Sequence, residues 1–326
     1  MKAIVFDSPG DEQVLKIGEV DKPEPGPTDL LIKVRCAGVN RADLMQREGH
    51  YPPPPGASPI LGLECAGEVV AVGAEVRGWR VGERVMALLA GGGYAELAAV
   101  DYRCAMRVPP TMSDEEAAGF PEVFLTAFLN LFMLGQVKPG ETALIHGGSS
   151  GVGTAAIQLL VASGARAIVT AGDSSKCERC VKLGAFAAIN YKEGPFAPRV
   201  MSLTDGRGVD LVLDIIGAAY LAQNIEVLAH SGRLVLIGLM KGARAEIDLA
   251  AVLRRHLTII GSTLRSRPVE QKGEIVRLFL ERFGTALNEG KLRPPIYAVL
   301  PLAEAPRAHR MMRDLEHFGK IVLRVS

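Results

Sequence analysis

Thr142-Ala-Leu-Ile-His-Gly-Gly-Ser-Ser-Gly-Val-Gly-Thr-Ala-Ala-Ile-Gln-Leu-Leu160 decides the fold of this chain. Ala143–Ile145 reads as a buried strand, the glycine and serine run as a tight loop, and the alanine-rich stretch from Gly153 to Ser163 as a helix. Unpaired backbone N–H groups and the positive end of such a helix attract phosphate. Glycines let the backbone approach a pyrophosphate closely. Ser150 stands at the second glycine position of the Gly-x-Gly-x-x-Gly pattern, and Gly148, Gly151 and Gly153 supply the other glycines. A glycine pattern alone is weak, so its surroundings must carry the reading. They do: Gly164-Ala-Arg-Ala-Ile-Val-Thr-Ala-Gly follows as a second strand signal ending near Ala171. A βαβ unit of about thirty residues is the size a dinucleotide-binding unit has.

At 326 residues the chain is long for one domain and suits two. Apolar residues make up 48%, enough for large cores. A formal net charge of +1 gives no global field toward nucleic acid or membrane, and few aromatics argue against a base-stacking surface. No basic and apolar leader pattern opens the chain. The longest uncharged stretch, Thr142 to Ala165, is broken by Gly, Ser and His and does not read as a membrane span. Five scattered cysteines indicate reduced thiols and a cytoplasmic setting.

The first hundred residues read as β-rich. Lys2–Phe6, Leu30–Cys36, Cys65–Gly73 and Glu83–Leu89 are short strands punctuated by glycine, with Pro23–Pro27 as a rigid loop. Ser113 with Glu116 forms a capping box where a helical region begins. From Ala143 to about Gly261 strands alternate with helices, at Ile168–Thr170, Ala188–Tyr191, Leu211–Asp214, Leu234–Ile237 and Thr258–Ile260. That alternation predicts an α/β fold with a doubly wound parallel sheet covered on both faces. Helices are predicted at Val269–Phe283 and Ala303–Leu315, and a closing strand at Lys320–Val325.

With both halves in view, the chain resembles a zinc-independent medium-chain dehydrogenase/reductase of the quinone oxidoreductase branch. Its motifs resemble most the tumour-suppressor-inducible subgroup of animals. The residues that carry the resemblance are Val39-Asn-Arg-Ala-Asp-Leu-Met-Gln-Arg-Glu-Gly-His-Tyr-Pro-Pro-Pro-Pro-Gly56, Leu61-Gly-Leu-Glu-Cys-Ala-Gly-Glu-Val69, the Ser149-Ser-Gly-Val-Gly153 loop and Leu264-Arg-Ser-Arg267. The resemblance implies a Rossmann domain, residues 119–261, inserted in a β-rich GroES-like catalytic domain of residues 1–118 and 262–326. It implies an active site in the cleft between them and a homodimer paired along the Rossmann sheet edge, near Leu234–Ile237 and Ala243–Leu249. Relatives that hold catalytic zinc have Cys and His where this chain has Asn40 and Leu63, although Glu64 remains. Two of the three protein ligands that such a zinc needs are therefore missing, and no metal is expected. Without a metal to polarise an oxygen, the expected substrates accept hydride readily: quinones, or the activated double bonds of enals and enones. A cofactor-binding protein with little catalysis is the reading from another class.

Tyr51 and Asn40 are the expected catalytic residues. A phenol can donate to a developing enolate or quinol oxygen; Tyr51 packed on Pro52–Pro55 is the plainer reading. Asn40 could hydrogen-bond ribose or substrate, or be a turn asparagine. Asp43 reads as a helix cap, and Glu64 as a structural acceptor. For the cofactor, the resemblance points to Ser150, Gly151 and Val152 at the pyrophosphate, and to Gly172, Asp173, Lys176 and Tyr191 at the ribose. It adds Thr126, Gly217, Leu239, Met240, Leu264, Arg265, Ser266 and Lys320. NADPH is favoured over NADH because Lys176 can pair with a 2′-phosphate. Asp173 opposes that choice, since an acid near this point ordinarily takes the ribose hydroxyls of NAD. Cys177-Glu-Arg-Cys180 reads as helix surface without thiol chemistry. His146 is placed to border the pyrophosphate.

Overall fold

The computed structural model describes residues 1–325, which divide into two units, Met1–Leu125 with Leu264 to the C-terminus, and Thr126–Thr263. In chain order the first unit opens with β1 (Lys2–Val5), β2 (Lys16–Glu19), β3 (Asp29–Gly38), α1 (Arg41–Arg47), β4 (Glu64–Val72), β5 (Arg84–Leu88), β6 (Leu97–Asp101), β7 (Ala105–Arg107) and α2 (Asp114–Ala118). Helix α3 (Pro121–Phe128) runs on into a π-helical turn, Leu129–Leu134. The second unit continues with β8 (Thr142–His146), α4 (Gly151–Ala162), β9 (Arg166–Ala171), α5 (Ser174–Lys182), β10 (Ala187–Asn190), α6 (Ala197–Leu203), β11 (Val209–Asp214), α7 (Leu221–Val227), β12 (Leu228–Leu236), α8 (Leu249–Arg254) and β13 (Thr258–Gly261). The chain closes in the first unit with α9 (Val269–Asn288), β14 (Ile296–Pro301), α10 (Ala305–Arg313) and β15 (Lys320–Arg324).

The second unit is a parallel sheet in the order β10-β9-β8-β11-β12-β13. That is a doubly wound order whose reversal falls between β8 and β11, where such sheets bind ligands beyond the strand C-termini. Its strands are apolar on both faces because helices cover both. Leu144, Ile168, Val212 and Leu234 lie together in the core, each fully buried. Burying one such side chain contributes ~1.5–3 kcal/mol. Strand β13 is one edge of this sheet, and β12 lies next to it.

The first unit is built on β3, whose length lets it serve several partners. Its Asp29–Lys33 half pairs with β6, its Cys36–Gly38 end pairs with β15, and β4 lies along its other side. The sheet order is β14-β15-β3-β4-β5-β7. The helix α1 that carries the Asn40 motif packs its buried Leu44 into a core with Val39, Leu61, Tyr94, Ile321 and Leu323. Sequence and structure differ at several boundaries. Helix α4 starts at Gly151 rather than Gly153, because the Ser150 side chain caps it by accepting the Gly153 N–H at 3.0 Å. Helix α9 runs past Phe283 to Asn288, and its buried Leu287 extends the apolar stripe by another turn. Helix α10 is shorter than predicted at both ends. Among the described residues no helix is long and apolar enough to cross a membrane.

Candidate active site

In the first unit, Asn40 is the residue before α1, and the Asp43 carboxylate accepts its backbone N–H at 2.8 Å. The same carboxylate accepts from Gly62 N at 3.1 Å and from the Tyr94 hydroxyl at 3.1 Å. Burial pushes the Asp43 carboxyl up to about 6, against these donors, which favour its ionised form. Asp43 is thus a cap that also ties α1 to the loop before β4. The Asn40 side chain is buried and fully engaged. Its Nδ2 donates to Glu64 Oε1 at 3.0 Å, and its Oδ1 accepts from Lys320 Nζ at 2.6 Å. Lys320 Nζ also donates to the Val39 carbonyl at 2.8 Å and lies 2.7 Å from Glu64 Oε1. The second Glu64 oxygen accepts Glu122 N–H at 2.9 Å, so both oxygens of this buried carboxylate are satisfied.

Tyr51 follows α1 in the proline loop and is half-buried. Arg265 anchors that loop. It donates from Nη1 to the Tyr51 carbonyl at 3.1 Å, from Nη2 to Gln46 Oε1 at 2.6 Å and from Nε to the Ala90 carbonyl at 2.9 Å. Its guanidinium carbon sits 5.3 Å from the Tyr51 ring centroid, within cation–π reach. Burial raises the Tyr51 phenol above its ordinary value, with Arg265 opposing and Glu122 reinforcing the shift. The hydroxyl therefore carries its proton at neutral pH. It makes no hydrogen bond to another described residue.

In the second unit, the loop Gly147–Ser150 leads from β8 into α4 at the point where the strand order reverses. The Ser150 hydroxyl and carbonyl take the N–H groups of Gly153 and Thr154. The N–H groups of Gly151 and Val152, at the first two helical positions, have no acceptor within the helix. Gly153 is required here for close approach. A Cβ on it would lie 2.2 Å from the Gly147 carbonyl oxygen and 2.7 Å from Gly148 Cα. At the end of β9, a Cβ on Gly172 would lie 2.8 Å from the Tyr191 hydroxyl, so Gly172 admits Tyr191 beside it. Asp173 caps α5: its Oδ1 accepts the Lys176 N–H at 2.8 Å, and its Oδ2 lies 3.9 Å from Lys176 Nζ. The exposed Lys241 places its ammonium 5.8 Å from the Tyr191 ring centroid. Gly172, Asp173, Lys176 and Tyr191 are thus brought together.

Of the remaining expected residues, Gly217 and Leu239 lie together, since a Cβ on Gly217 would be 2.9 Å from Leu239 Cδ2. Thr126 is buried on α3, and its carbonyl accepts from Asn130 Nδ2 at 2.8 Å. Gly217 N donates to Asp214 beyond β11. Leu239 and Met240 are exposed on the loop after β12. Leu264 is buried and Ser266 exposed in the segment that precedes α9.

Residues 26–110 match the alcohol dehydrogenase GroES-like domain family, and residues 151–281 match the zinc-binding dehydrogenase family. The mycobacterial protein Rv1454c, solved in complex with NADPH, is 31% identical with a TM-score of 0.89 over the whole of both chains. The chain belongs to the medium-chain dehydrogenase/reductase family. It is an oxidoreductase. Escherichia coli quinone oxidoreductase, also solved with NADPH, is 27% identical to this dehydrogenase/reductase with a TM-score of 0.86 over all of both chains. The CurK enoyl reductase is 29% identical with a TM-score of 0.88, over all of this chain and 99% of that one. A phenolphthiocerol/phthiocerol polyketide synthase of Mycobacterium tuberculosis is 33% identical over 98% of this chain. This dehydrogenase/reductase spans only 14% of that relative's length.

The family description implies zinc, and the residues do not fit it. Among the described residues no group of three or more His, Cys, Asp and Glu side chains could hold a metal ion. Glu64 already has the Lys320 ammonium against it. Cys36 and Cys65 are buried thiols that burial pushes up to about 12, which disfavours the thiolate a metal would need. A dinucleotide does fit. The free N–H pair at the start of α4 and the glycine cradle suit a pyrophosphate. Buried Asn130 Oδ1 on the π-helical turn has no partner either, and such turns cluster at functional sites.

Three of the expected site residues have their side chains engaged within the first unit. The Asn40 amide is held at both ends, by Glu64 and Lys320, and its Nδ2 also faces the Gly38 carbonyl at 3.4 Å, so only an Oδ1 lone pair is left over for ribose or substrate. Lys320 was placed at the cofactor by resemblance, yet its three donors are spent on Glu64, Val39 and Asn40. Arg265 uses three of its five N–H donors within the first unit, on the Tyr51 carbonyl, Gln46 Oε1 of α1 and the Ala90 carbonyl. All three tie segments of the first unit together. Sequence reasoning missed Asp214, Asn224, Thr170 and Lys241. Only the strand-end aspartate of Leu211-Val-Leu-Asp214 carried a signal for any of them.

Proposed function

We propose that this chain binds NADPH and reduces quinones by hydride transfer without a metal. Tyr51 carries this reading: a protonated, half-buried phenol whose hydroxyl has no hydrogen-bond partner among the described residues, on a loop that Arg265 ties to Gln46 of α1 and to Ala90. When bound, the reduced nicotinamide would supply the hydride. Converting a quinone to its hydroquinone then needs one further proton, and negative charge builds on the carbonyl oxygen until it arrives. A donor pre-positioned for that oxygen lowers the barrier. Tyr51 Oη–H is such a donor, and solvent reprotonates it.

Dinucleotide binding rests on the second unit's loop, and NADPH rather than NADH on Lys176, Tyr191 and Lys241. Asp173 is the contrary charge. It is turned onto the α5 N-terminus, where the helix dipole favours an anion, and Lys176 lies beside it. Lys241 adds a second positive charge beside Tyr191, against Asp173 and Glu193, which accepts from Ser174 at the start of α5. The two relatives solved with NADPH support the same choice. Pairing of two copies along β13, an edge of the sheet, belongs to this reading.

A second reading, reduction of activated double bonds in enals or enones, is favoured by the likeness to the CurK enoyl reductase and to a polyketide synthase. Hydride addition at a conjugated carbon also builds charge on a carbonyl oxygen, so Tyr51 serves both. The Tyr51→Phe variant is expected to lose about a hundredfold in kcat, with KM and NADPH affinity near wild type. The assay is NADPH oxidation with a naphthoquinone and with a 2-alkenal in parallel, and the faster acceptor chooses between the readings. Full kcat in Tyr51→Phe with both acceptors would remove Tyr51 from the mechanism.

A further inference from the structure

A continuous chain of hydrogen bonds crosses the C-terminal ends of β9, β8 and β11 inside the second unit. The Gly147 N–H, in the loop before α4, donates to Thr170 Oγ1 at 3.3 Å. Thr170 Oγ1 lies 3.1 Å from His146 Nδ1, and His146 Nε2 lies 2.7 Å from Asn224 Oδ1. Asn224 Nδ2 donates to Asp214 Oδ2 at 3.0 Å. Asp214 then accepts Ile216 N–H at 2.6 Å and Gly217 N–H at 3.2 Å, fixing the loop after β11. Thr170, His146, Asn224 and Asp214 are all buried. The rings of Phe196 and Tyr220 wall His146, each with its centroid 4.8 Å away.

The chain has one proton order. A carboxylate only accepts, so Asn224 must turn its Nδ2 to Asp214 and its Oδ1 to His146. His146 must then carry its proton on Nε2, which leaves Nδ1 to accept from the Thr170 hydroxyl. A neutral ring is required, and burial does hold it neutral, pushing His146 down to about 4. Every polar atom of the imidazole is used, and nothing is left over for a ligand. The ring therefore joins the loop before α4 to the loop after β11. Those loops flank the point where the strand order reverses.

We infer that His146 is a positioning residue that locks these two loops into one relation through Thr170, Asn224 and Asp214, so that a dinucleotide meets both at once. The inference rests on the dinucleotide reading above. NADPH spans both loops, whereas adenosine 2′-monophosphate needs only the region of Gly172, Lys176 and Tyr191. The His146→Leu variant cuts the chain. His146→Gln keeps one donor and one acceptor at similar reach.

Calorimetric titration of purified wild type and both variants tests this. His146→Leu is expected to weaken NADPH about tenfold, a loss of about 1.4 kcal/mol, and to leave adenosine 2′-monophosphate unchanged. His146→Gln is expected to recover most of the affinity. Unchanged NADPH affinity in His146→Leu overturns the inference, as does an equal loss for both ligands, which would mean general loosening. If wild type binds adenosine 2′-monophosphate but not NADPH, the inference falls. If it binds neither, the dinucleotide reading itself has failed. Nitrogen-15 NMR of wild type decides independently of variant folding. A neutral Nε2–H ring down to about pH 5 is expected, and an Nδ1–H tautomer or an imidazolium there contradicts the proton order.

Discussion

Gly153→Ala is expected to abolish measurable dinucleotide binding, with at least a hundredfold loss of NADPH affinity. Helix propensity alone predicts the opposite of damage, since alanine is favoured over glycine within a helix by ~1 kcal/mol. The contact decides. The new Cβ would sit 2.2 Å from the Gly147 carbonyl oxygen and 2.7 Å from Gly148 Cα. Both are backbone atoms, so no side chain can rotate away. The loop must shift, at an overpacking cost of ~1–3 kcal/mol. Its shift carries the Gly151 and Val152 N–H groups off the positions that a pyrophosphate requires. Gly284 in α9 is the control, because a Cβ there meets nothing within 4 Å. Gly284→Ala should stabilise by ~0.5–1 kcal/mol and leave binding untouched. NADPH titration and thermal melts of the two variants measure both effects, and a Gly153→Ala protein that binds normally would show that the cradle does not hold the cofactor.

Lys320→Met is the second large effect, and it falls on stability. Glu64 is wholly buried and Lys320 nearly so, with 2.7 Å between their charges. Removing the ammonium leaves an uncompensated carboxylate facing Asn40 and the Glu122 N–H alone. Breaking one side of a buried pair costs ~3–5 kcal/mol. The same change frees Asn40 Oδ1, so the start of α1 loosens as well. Replacing both partners, as Glu64→Gln with Lys320→Met, should recover most of the loss, because the amide keeps the hydrogen bonds without the charge. Denaturant midpoints of the single and double variants give the comparison. A single variant within about 1 kcal/mol of wild type would mean the pair is solvated in solution, contrary to its burial here.

The second unit was legible in the sequence because every level agreed there: apolar strands, glycine at the turn, and a helix start of small residues. The short strands of the first unit were harder to see. β2 is Lys16-Ile-Gly-Glu, mostly exposed, and β6 is Leu97-Ala-Ala-Val-Asp101, which buries only Ala98 and Val100, so neither shows a strong apolar face. β7 has three residues. The π-helical turn at Leu129–Leu134 was invisible because Leu-Asn-Leu-Phe-Met-Leu fits an ordinary buried helix equally well. For the site, residue types at motif positions marked Asn40, Tyr51 and Lys176. Their partners were out of reach, since the bond that commits Asn40 comes from Lys320, 280 residues away. Asp173 was read by its charge and position, and the structure adds its hydrogen bond to the α5 N-terminus, which a sequence position cannot specify. His146 reads in the sequence as a neighbour of the pyrophosphate, and the structure gives its ring one partner on another strand, Thr170 of β9, and one on a helix, Asn224 of α7.

Metal-free reduction by NADPH can be measured in one assay. The purified protein is treated with a strong chelator, titrated with NADPH and with NADH, and then given a naphthoquinone while reduced nicotinamide is followed by its absorbance. The expected result is tighter binding of NADPH than NADH, and stoichiometric NADPH oxidation that the chelator does not slow. Folded protein that binds NADPH yet oxidises none of it with quinone or alkenal, or activity that the chelator removes and zinc restores, would contradict it.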